Sequence, residues 1–382
     1  MEWFKKKRKQ QVPVVQTAVS DGYNSSVFSL LGKNGQIDCE RRLYQSLRDS
    51  VPVIDAAISK LVRLTGHFYV HCQDGSLEKQ LNRFLETVRV NGCQYGAESF
   101  LQNYLSQLIT FGTAVGEMVM AENGREIAAL YNASLDDVEL QADKNPFAMT
   151  ICAIAPSGER IPVRYPSLVL CSTIMNRAGE LYGTSVLKGL PFVGDVMMKI
   201  LYAIGTNWDR IGNVRFAVSY KPGDNDRSFT RERASQIAAE WSKAMKSREP
   251  KDFVTVGDVS IRAIGADNQV PEIQVPMRAL LEQILSKLSI PPFLLGFSWS
   301  ATERMSAQQA DILTSELEYY RSVLTGVIKR ICDLWLRLRG QTAEFTVEWD
   351  NINLQDEVEL ARARLLNAQA DQITAETQKG DR

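Results

Sequence analysis

The sequence predicts an α+β fold in which helices of contrasting length frame a small α/β insertion. Between residues 50 and 183, three amphipathic helical stretches give way to segments of alternating polarity. Two stretches of helical period, ending at Gly212 and beginning at Val275, bracket a turn-rich insertion. Finally, Ser289-Ile290-Pro291-Pro292-Phe293-Leu294-Leu295-Gly296 stops one apolar-striped helix and hands the chain to a much longer one. Tandem prolines lack N–H donors and push the preceding residue out of the helical region, so the first helix must stop near Ile290.

Taken in order, the first firm helix spans about residues 50–64. Ser50 is its candidate N-cap, Pro52 stands in the first turn, Ile54, Ile58, Leu61 and Val62 form the stripe, and Gly66 closes it. His67-Phe68-Tyr69-Val70-His71-Cys72 reads as a strand. A second helix, about 76–88, carries Leu77, Leu81, Phe84, Leu85 and Val88; a third, about 99–111, carries Phe100, Tyr104, Leu105 and Leu108. Residues 114–120, 128–140 and 149–171 then alternate in the manner of strands, with turns at Asn145-Pro146 and Pro156-Ser157-Gly158.

The character changes at Leu181-Tyr182-Gly183-Thr184-Ser185. Apolar residues then recur at helical spacing from Val186 to Ile211, and from Pro191 onward the helix is roughly 30 Å long. Within the insertion, Arg215 to Tyr220 alternates, Lys221 to Asp226 is turn-rich, a helix covers about 230–247, and Phe253 to Ile264 returns to strand-like residues. About sixty residues are too few for a large independent core, so this unit is expected to lean on neighbours or on copies of itself. After Val275-Pro276 a helix carries Met277, Leu280, Leu281, Ile284, Leu285 and Leu288. The long helix, about 303–339, carries a heptad-like seam of Leu313, Leu317, Tyr320, Leu324, Val327, Ile331, Leu334 and Leu338 and stops at Gly340. A strand at 344–349 and a helix at about 355–374 finish the chain.

Composition narrows the function. The 382 residues carry a net charge of −1, but residues 1–9 hold Lys5-Lys6-Lys7-Arg8-Lys9 against one acid, which leaves −5 for the rest. A tight nucleic-acid binder carries a basic surplus, so the body is not built to grip phosphates. The basic run reads first as a solvated tail and second as a nucleic-acid tether. No run of eighteen apolar residues is present, which excludes a spanning helix, and no apolar h-region follows the basic run, so a cytoplasmic site of folding is expected. The six cysteines lack C-x-x-C spacing and read as buried or incidental thiols. His67 and His71 would share a strand face, but nothing at ligand spacing completes a metal set.

The common nucleotide, zinc-protease and serine-hydrolase motifs are missing, so the chain is not expected to be an enzyme, and it calls for no cofactor or metal. Asp136-Asp137 is a carboxylate pair that a metal-dependent nuclease could use, and a solvated turn explains it better. Trp299 reads equally as a buried anchor or as a ring facing a lumen.

The order of these parts, with Leu181-Tyr182-Gly183-Thr184-Ser185 and Ile290-Pro291-Pro292-Phe293-Leu294-Leu295-Gly296 at their places, resembles the portal proteins of tailed double-stranded DNA phages over residues 50–340. The resemblance implies a portal-like fold after an N-terminal segment, 1–50. Its wing would be Val51–Gly183 with the long helix and following strand, 306–354, and its helical stem Thr184–Gly212 and Ile273–Ile290. The clip would be Asn213–Glu272, and a short helical crown would occupy Gln355–Arg382. Within 291–305 it implies a tunnel loop whose DNA-facing candidates are Phe297, Ser298, Trp299, Ser300, Ala301, Thr302, Glu303 and Arg304. Clip candidates facing the packaging motor or adaptors are Lys221, Asp224, Asp226, Arg227, Lys243 and Lys246. It further implies a cyclic ring of twelve subunits at one capsid vertex of a virion assembled in the host cytoplasm. The implied partners are double-stranded DNA, the terminase large subunit, the major capsid protein and a head–tail adaptor, with no membrane. The rival readings are a metal-dependent nuclease and a non-portal interaction scaffold that uses Lys5–Lys9.

Overall fold

The computed structural model describes residues 33–145, 148–212, 215–221, 232, 235–236, 239, 258–264, 273–297 and 303–352. The chain divides into two compact units, one of residues 1–194 with 281–382 and one of residues 195–280.

The first unit opens on α1 (Lys33–Ser50), which sequence reading leaves inside the N-terminal segment. Only Tyr44 and Leu47 of its described side chains are buried, so its apolar stripe is thin. Arg48 compensates by donating to Asp55 at 2.8 Å and to the hydroxyls of Ser106 and Thr110 at 2.9 Å. Ser50 closes α1, its hydroxyl donating back to the Ser46 carbonyl, and is not the cap expected of it. Helix α2 (Pro52–Leu64) starts on Val51 without a side-chain cap, set up instead by Pro52 in its first turn. Helix α3 (Gly75–Thr87) is capped by Asp74, whose carboxylate accepts from Ser76 N–H, and α4 (Ala97–Phe111) ends on left-handed Gly112.

Around α4 lies a five-stranded sheet in the order β3-β2-β5-β4-β9, formed by β2 (Arg89–Val90), β3 (Gln94–Tyr95), β4 (Thr113–Met120), β5 (Ile127–Ala133) and β9 (Val169–Thr173). All its pairs are antiparallel except β2 with β5. The ring of Phe100 on α4 sits where a side chain at Gly116 would be, so helix and central strand pack at glycine distance. A second, three-stranded sheet orders β6 (Val138–Ala142), β7 (Met149–Ile154) and β8 (Arg160–Pro162). The expected 128–140 strand thus breaks at residues 134–137 and passes from one sheet to the other. Val115, Leu135, Leu140, Ile151 and Val169 share the core that joins the sheets.

The last part of this unit is α7 (Glu303–Leu338), 36 residues and roughly 54 Å long. Its expected seam is buried from Leu313 to Ile331, but burial then drifts to Ile328, Cys332, Trp335 and Leu336 while Leu334 and Leu338 are only partly covered. A straight helix drifts from a seven-residue repeat, and the chain's own core follows the drift. Strand β12 (Phe345–Trp349) returns to pair antiparallel with β1 (Phe68–Cys72). Trp349 anchors the ribbon on α7, donating from Nε1 to Thr325 at 2.9 Å and stacking under Arg321, which itself donates to the Thr65 carbonyl.

In the second unit lie most of α5 (Leu190–Gly212), the start of α6 (Gln274–Lys287) and an antiparallel ribbon of β10 (Arg215–Lys221) and β11 (Asp258–Ile264). The ribbon agrees with the strand pattern expected of the insertion. On α5, Met198, Leu201, Tyr202 and Trp208 fall on one helical face and are exposed, Tyr202 to 79%.

Candidate functional site

Two sequence features stood out, and the structure explains both as devices that fix where the chain goes. At Ser289 the end of α6 forms a Schellman closure. Ile290 N–H donates to Leu285 O at 3.1 Å, Ser289 N–H donates to Ser286 O at 3.2 Å, and Ser289 takes the left-handed conformation, φ 52°. Ile290 and Leu285, which such a closure brings together, are both buried. Pro291 then turns the chain into a short 3-10 helix, Pro292–Leu295. That helix closes the same way: Phe297 N–H donates to Pro292 O and Gly296 N–H to Phe293 O, each at 3.1 Å, with Gly296 at φ 82°. Two successive helix closures, seven residues apart, deliver the chain to Phe297.

Of the loop residues singled out from the sequence, Phe297 is half-buried directly after the second closure. Ser298, Trp299, Ser300, Ala301 and Thr302 lie outside the described residues, and Glu303 and Arg304 open α7. Of the insertion candidates, Lys221 ends β10, while Asp224, Asp226, Arg227, Lys243 and Lys246 lie outside the described residues, as does the expected helix near 355–374.

Leu181-Tyr182-Gly183-Thr184-Ser185 is a buckle. Ser185 donates to Thr110 O at 2.6 Å and accepts from Leu187 N–H, Gly183 N–H donates to Thr113 Oγ1 at 2.9 Å, and Thr184 N–H donates to Ile174 O at 2.9 Å. A Cβ on Gly183 would fall inside the Gly112 carbonyl, and one on Gly112 inside the Gly183–Thr184 backbone. Tyr182 reaches across to β6, its hydroxyl accepting from Leu140 N–H at 2.8 Å. The motif thereby ties the end of α4 and the edge of the second sheet to the chain entering α5. Beside it opens a cleft of about 730 Å³, walled by Arg41 and Tyr44 of α1, Glu139 and Leu140 of β6, and Arg177 and Tyr182. No motif in the sequence signals this cleft, because its walls come from four separate stretches of chain.

Asp137 is buried, its carbonyl accepting from Ile154 N–H, and only Asp136 is exposed. The solvated turn expected for the pair is therefore half right: residues 134–137 turn, but the turn is folded under β7. Among the described residues no three His, Cys, Asp or Glu side chains gather as metal ligands. Each histidine is instead engaged by carboxylates, His67 Nδ1 with Glu98 at 2.8 Å and His71 Nε2 with Glu348 at 3.0 Å. The Glu98 hydrogen bond, then its charge and that of Asp350, hold the His67 pKa above its ordinary value. Burial pushes the Cys171 thiol up to about 11 and that of Cys332 higher still, so neither offers a thiolate near neutral pH.

No protein-family model matches the chain and no curated protein is significantly similar to it. Solved structures do match. A chain in the neck of the native gene transfer agent particle, computed with C12 symmetry, superposes with a TM-score of 0.61 at 17% identity, over 85% of this chain and 88% of that one. A chain in the virion of the same native particle gives 0.61 at 16% identity, over 86% and 89%. A HK97 family phage portal protein from Corynebacterium diphtheriae aligns with a TM-score of 0.45 at 11% identity, too loosely to bear on the fold. The chain therefore has the fold of a protein in the neck of the gene transfer agent particle, in accord with the resemblance carried by its glycine-serine buckle and its double-proline turn.

Proposed function

We propose that the chain is the repeating subunit of a portal ring, a cyclic assembly at one vertex of a phage-type capsid through which DNA enters and leaves. The observation that carries this reading is the likeness, over most of both chains, to a neck protein from a particle computed with C12 symmetry. The exposed face of α5 supports it. Met198, Leu201, Tyr202 and Trp208 form an apolar stripe that a lone subunit would leave in water, and head-to-tail contacts that close into a ring would cover such stripes.

In this reading α5 and α6 are the stem, residues 213–272 are the clip, and residues 291–305 project the tunnel loop toward the channel. Phe297 to Arg304 would then meet the DNA. The clip would dock the terminase large subunit, which supplies the ATP hydrolysis, and later a head–tail adaptor, while the rim meets the major capsid protein. The −5 balance of residues 10–382 suits a channel in which DNA slides instead of being held. The assembly would act in the virion, and among the described residues no helix is long and apolar enough to cross a membrane.

The test is the particle mass in solution together with electron microscopy of the purified chain. Rings with a central hole and the mass of twelve 42.8 kDa chains, about 510 kDa, are expected. Monomers that persist at high concentration, with capsid partners present, would overturn the reading.

A further inference from the structure

The chain carries Asn-Gly three times, at residues 34–35, 91–92 and 123–124. An asparagine before glycine is open to attack on its own side chain, because glycine has no Cβ to keep its backbone nitrogen from the carboxamide carbon. Asn34-Gly35 lies in the first turn of α1, and the other two lie in turns between strands. Those two turns hold the same dipeptide in opposite ways.

Asn91, between β2 and β3, is fastened through its side chain and its backbone. Its Nδ2 donates to Asn132 Oδ1 at 3.1 Å, its Oδ1 accepts from Asn132 N–H at 2.9 Å, and its own N–H donates to Leu130 O at 3.0 Å. Asn132 is fixed in turn by its Nδ2, which donates to Phe100 O at 3.1 Å. Attack by Gly92 would have to break the carboxamide pair, and the carboxylate left behind would face Asn132 Oδ1.

Asn123 stands in the exposed tip of the β4–β5 hairpin, residues 122–126. Its Oδ1 accepts from Arg125 N–H at 2.9 Å, and no hydrogen bond among the described residues engages its Nδ2. The oxygen that gains charge as a ring closes on Cγ therefore already has a donor, while the nitrogen is free to leave into water. The space around Gly124 is open, since a Cβ there would meet nothing within 4 Å. One bond opposes the attack, from Gly124 N–H to Ala121 O at 2.8 Å, and it lies at a solvated hairpin tip, where local opening costs least. We propose that Asn123 is a site of spontaneous deamidation. The Gly124 nitrogen attacks Asn123 Cγ, the new N–Cγ bond replaces the Cγ–Nδ2 bond, and Nδ2 leaves as ammonia with the proton from Gly124 N–H. Water then opens the succinimide at either carbonyl, giving aspartate or isoaspartate with no change of oxidation state. Either product adds a negative charge to a tip that holds Glu122 and Glu126 against Arg125, and isoaspartate also routes the backbone of the turn through Cβ. The inference does not depend on ring formation.

The full folded chain is incubated at neutral pH in heavy-oxygen water and its peptides are mapped by mass, so that each succinimide opened during the incubation is marked. Asn123 is expected to react about tenfold faster than Asn91 or more, and the two to react alike when the chain is unfolded in urea. A smaller ratio in the folded chain would overturn the proposal, because the hairpin tip would then not favour the reaction. A ratio that survives in urea would overturn it too, because flanking sequence and not structure would set the rates. Asn132→Ala removes the partner of Asn91 Nδ2, so it is expected to raise the Asn91 rate several-fold and to leave Asn123 unchanged. An unmoved Asn91 rate would overturn the contrast on which the assignment rests. Should that variant fail to fold, the folded and urea rates of the parent chain still decide the matter.

Discussion

Single residues carry the two joints of this fold. Gly183 lies against the Gly112 carbonyl with no space for a methyl group, and both positions are backbone on backbone, where nothing flexible can yield. Gly183→Ala is therefore expected to destabilise by about 3 kcal/mol or more, read by chemical denaturation, whereas alanine at Gly205, an exposed helix-interior position where a Cβ meets nothing, should stabilise by up to about 1 kcal/mol. The sequence displayed Gly183 as part of a boundary motif. It could not display the partner, since Gly112 is 71 positions away and only the fold brings the two together. At His67 the same scale predicts a pH effect. Because Glu98 and Asp350 raise its pKa when folded, the histidine contributes stability that is fully present below its ordinary value of 6.5 and is lost as pH rises through the folded value. The ring is largely exposed, so the effect on stability is small, and the sharper readout is its NMR titration. Glu98→Gln should move the His67 midpoint back down toward 6.5; an unmoved midpoint would refute the assignment.

At the scale of elements, periodicity was legible wherever an apolar stripe is wide. Helices α2, α4 and α7 fall within a few residues of their expected spans, because Ile54, Ile58 and Leu61, or Leu313, Leu317 and Tyr320, leave no other register. Helix α1 was not legible. It is mostly polar, and it is secured by Arg48 reaching three residues of α2 and α4, a kind of fastening that no local pattern encodes. A side-chain cover on β1 was hidden for the same reason. Asn82 looks like any exposed helix residue until its amide is found on Val70, twelve positions back, accepting from the Val70 N–H and donating to its carbonyl. Asn82→Ala strips both bonds from a fully buried residue and is expected to cost about 2 kcal/mol, with faster exchange of the Val70 amide. Retention of wild-type protection at Val70 would mean that water replaces the amide without loss.

For the whole molecule, two compact units and an uncovered apolar stripe make one prediction. Trp208 is 61% exposed, so Trp208→Glu should leave the subunit's melting behaviour within about 0.5 kcal/mol of the parent while shifting particle mass from the proposed ring to monomer. If the mass is unchanged, the α5 stripe is not the subunit contact. The order of parts was readable from sequence because two short motifs and two proline positions punctuate it; the residues expected to face DNA or a motor lie mostly in stretches that carry no apolar pattern at all. The paired helix closures before Phe297 have a further bearing on variation. Every bond in them is backbone to backbone and spans at most five positions, so the direction of exit is encoded before the loop begins. The point at which the chain leaves Phe297 is thus set by backbone bonds between residues 285 and 297 alone, whatever side chains follow.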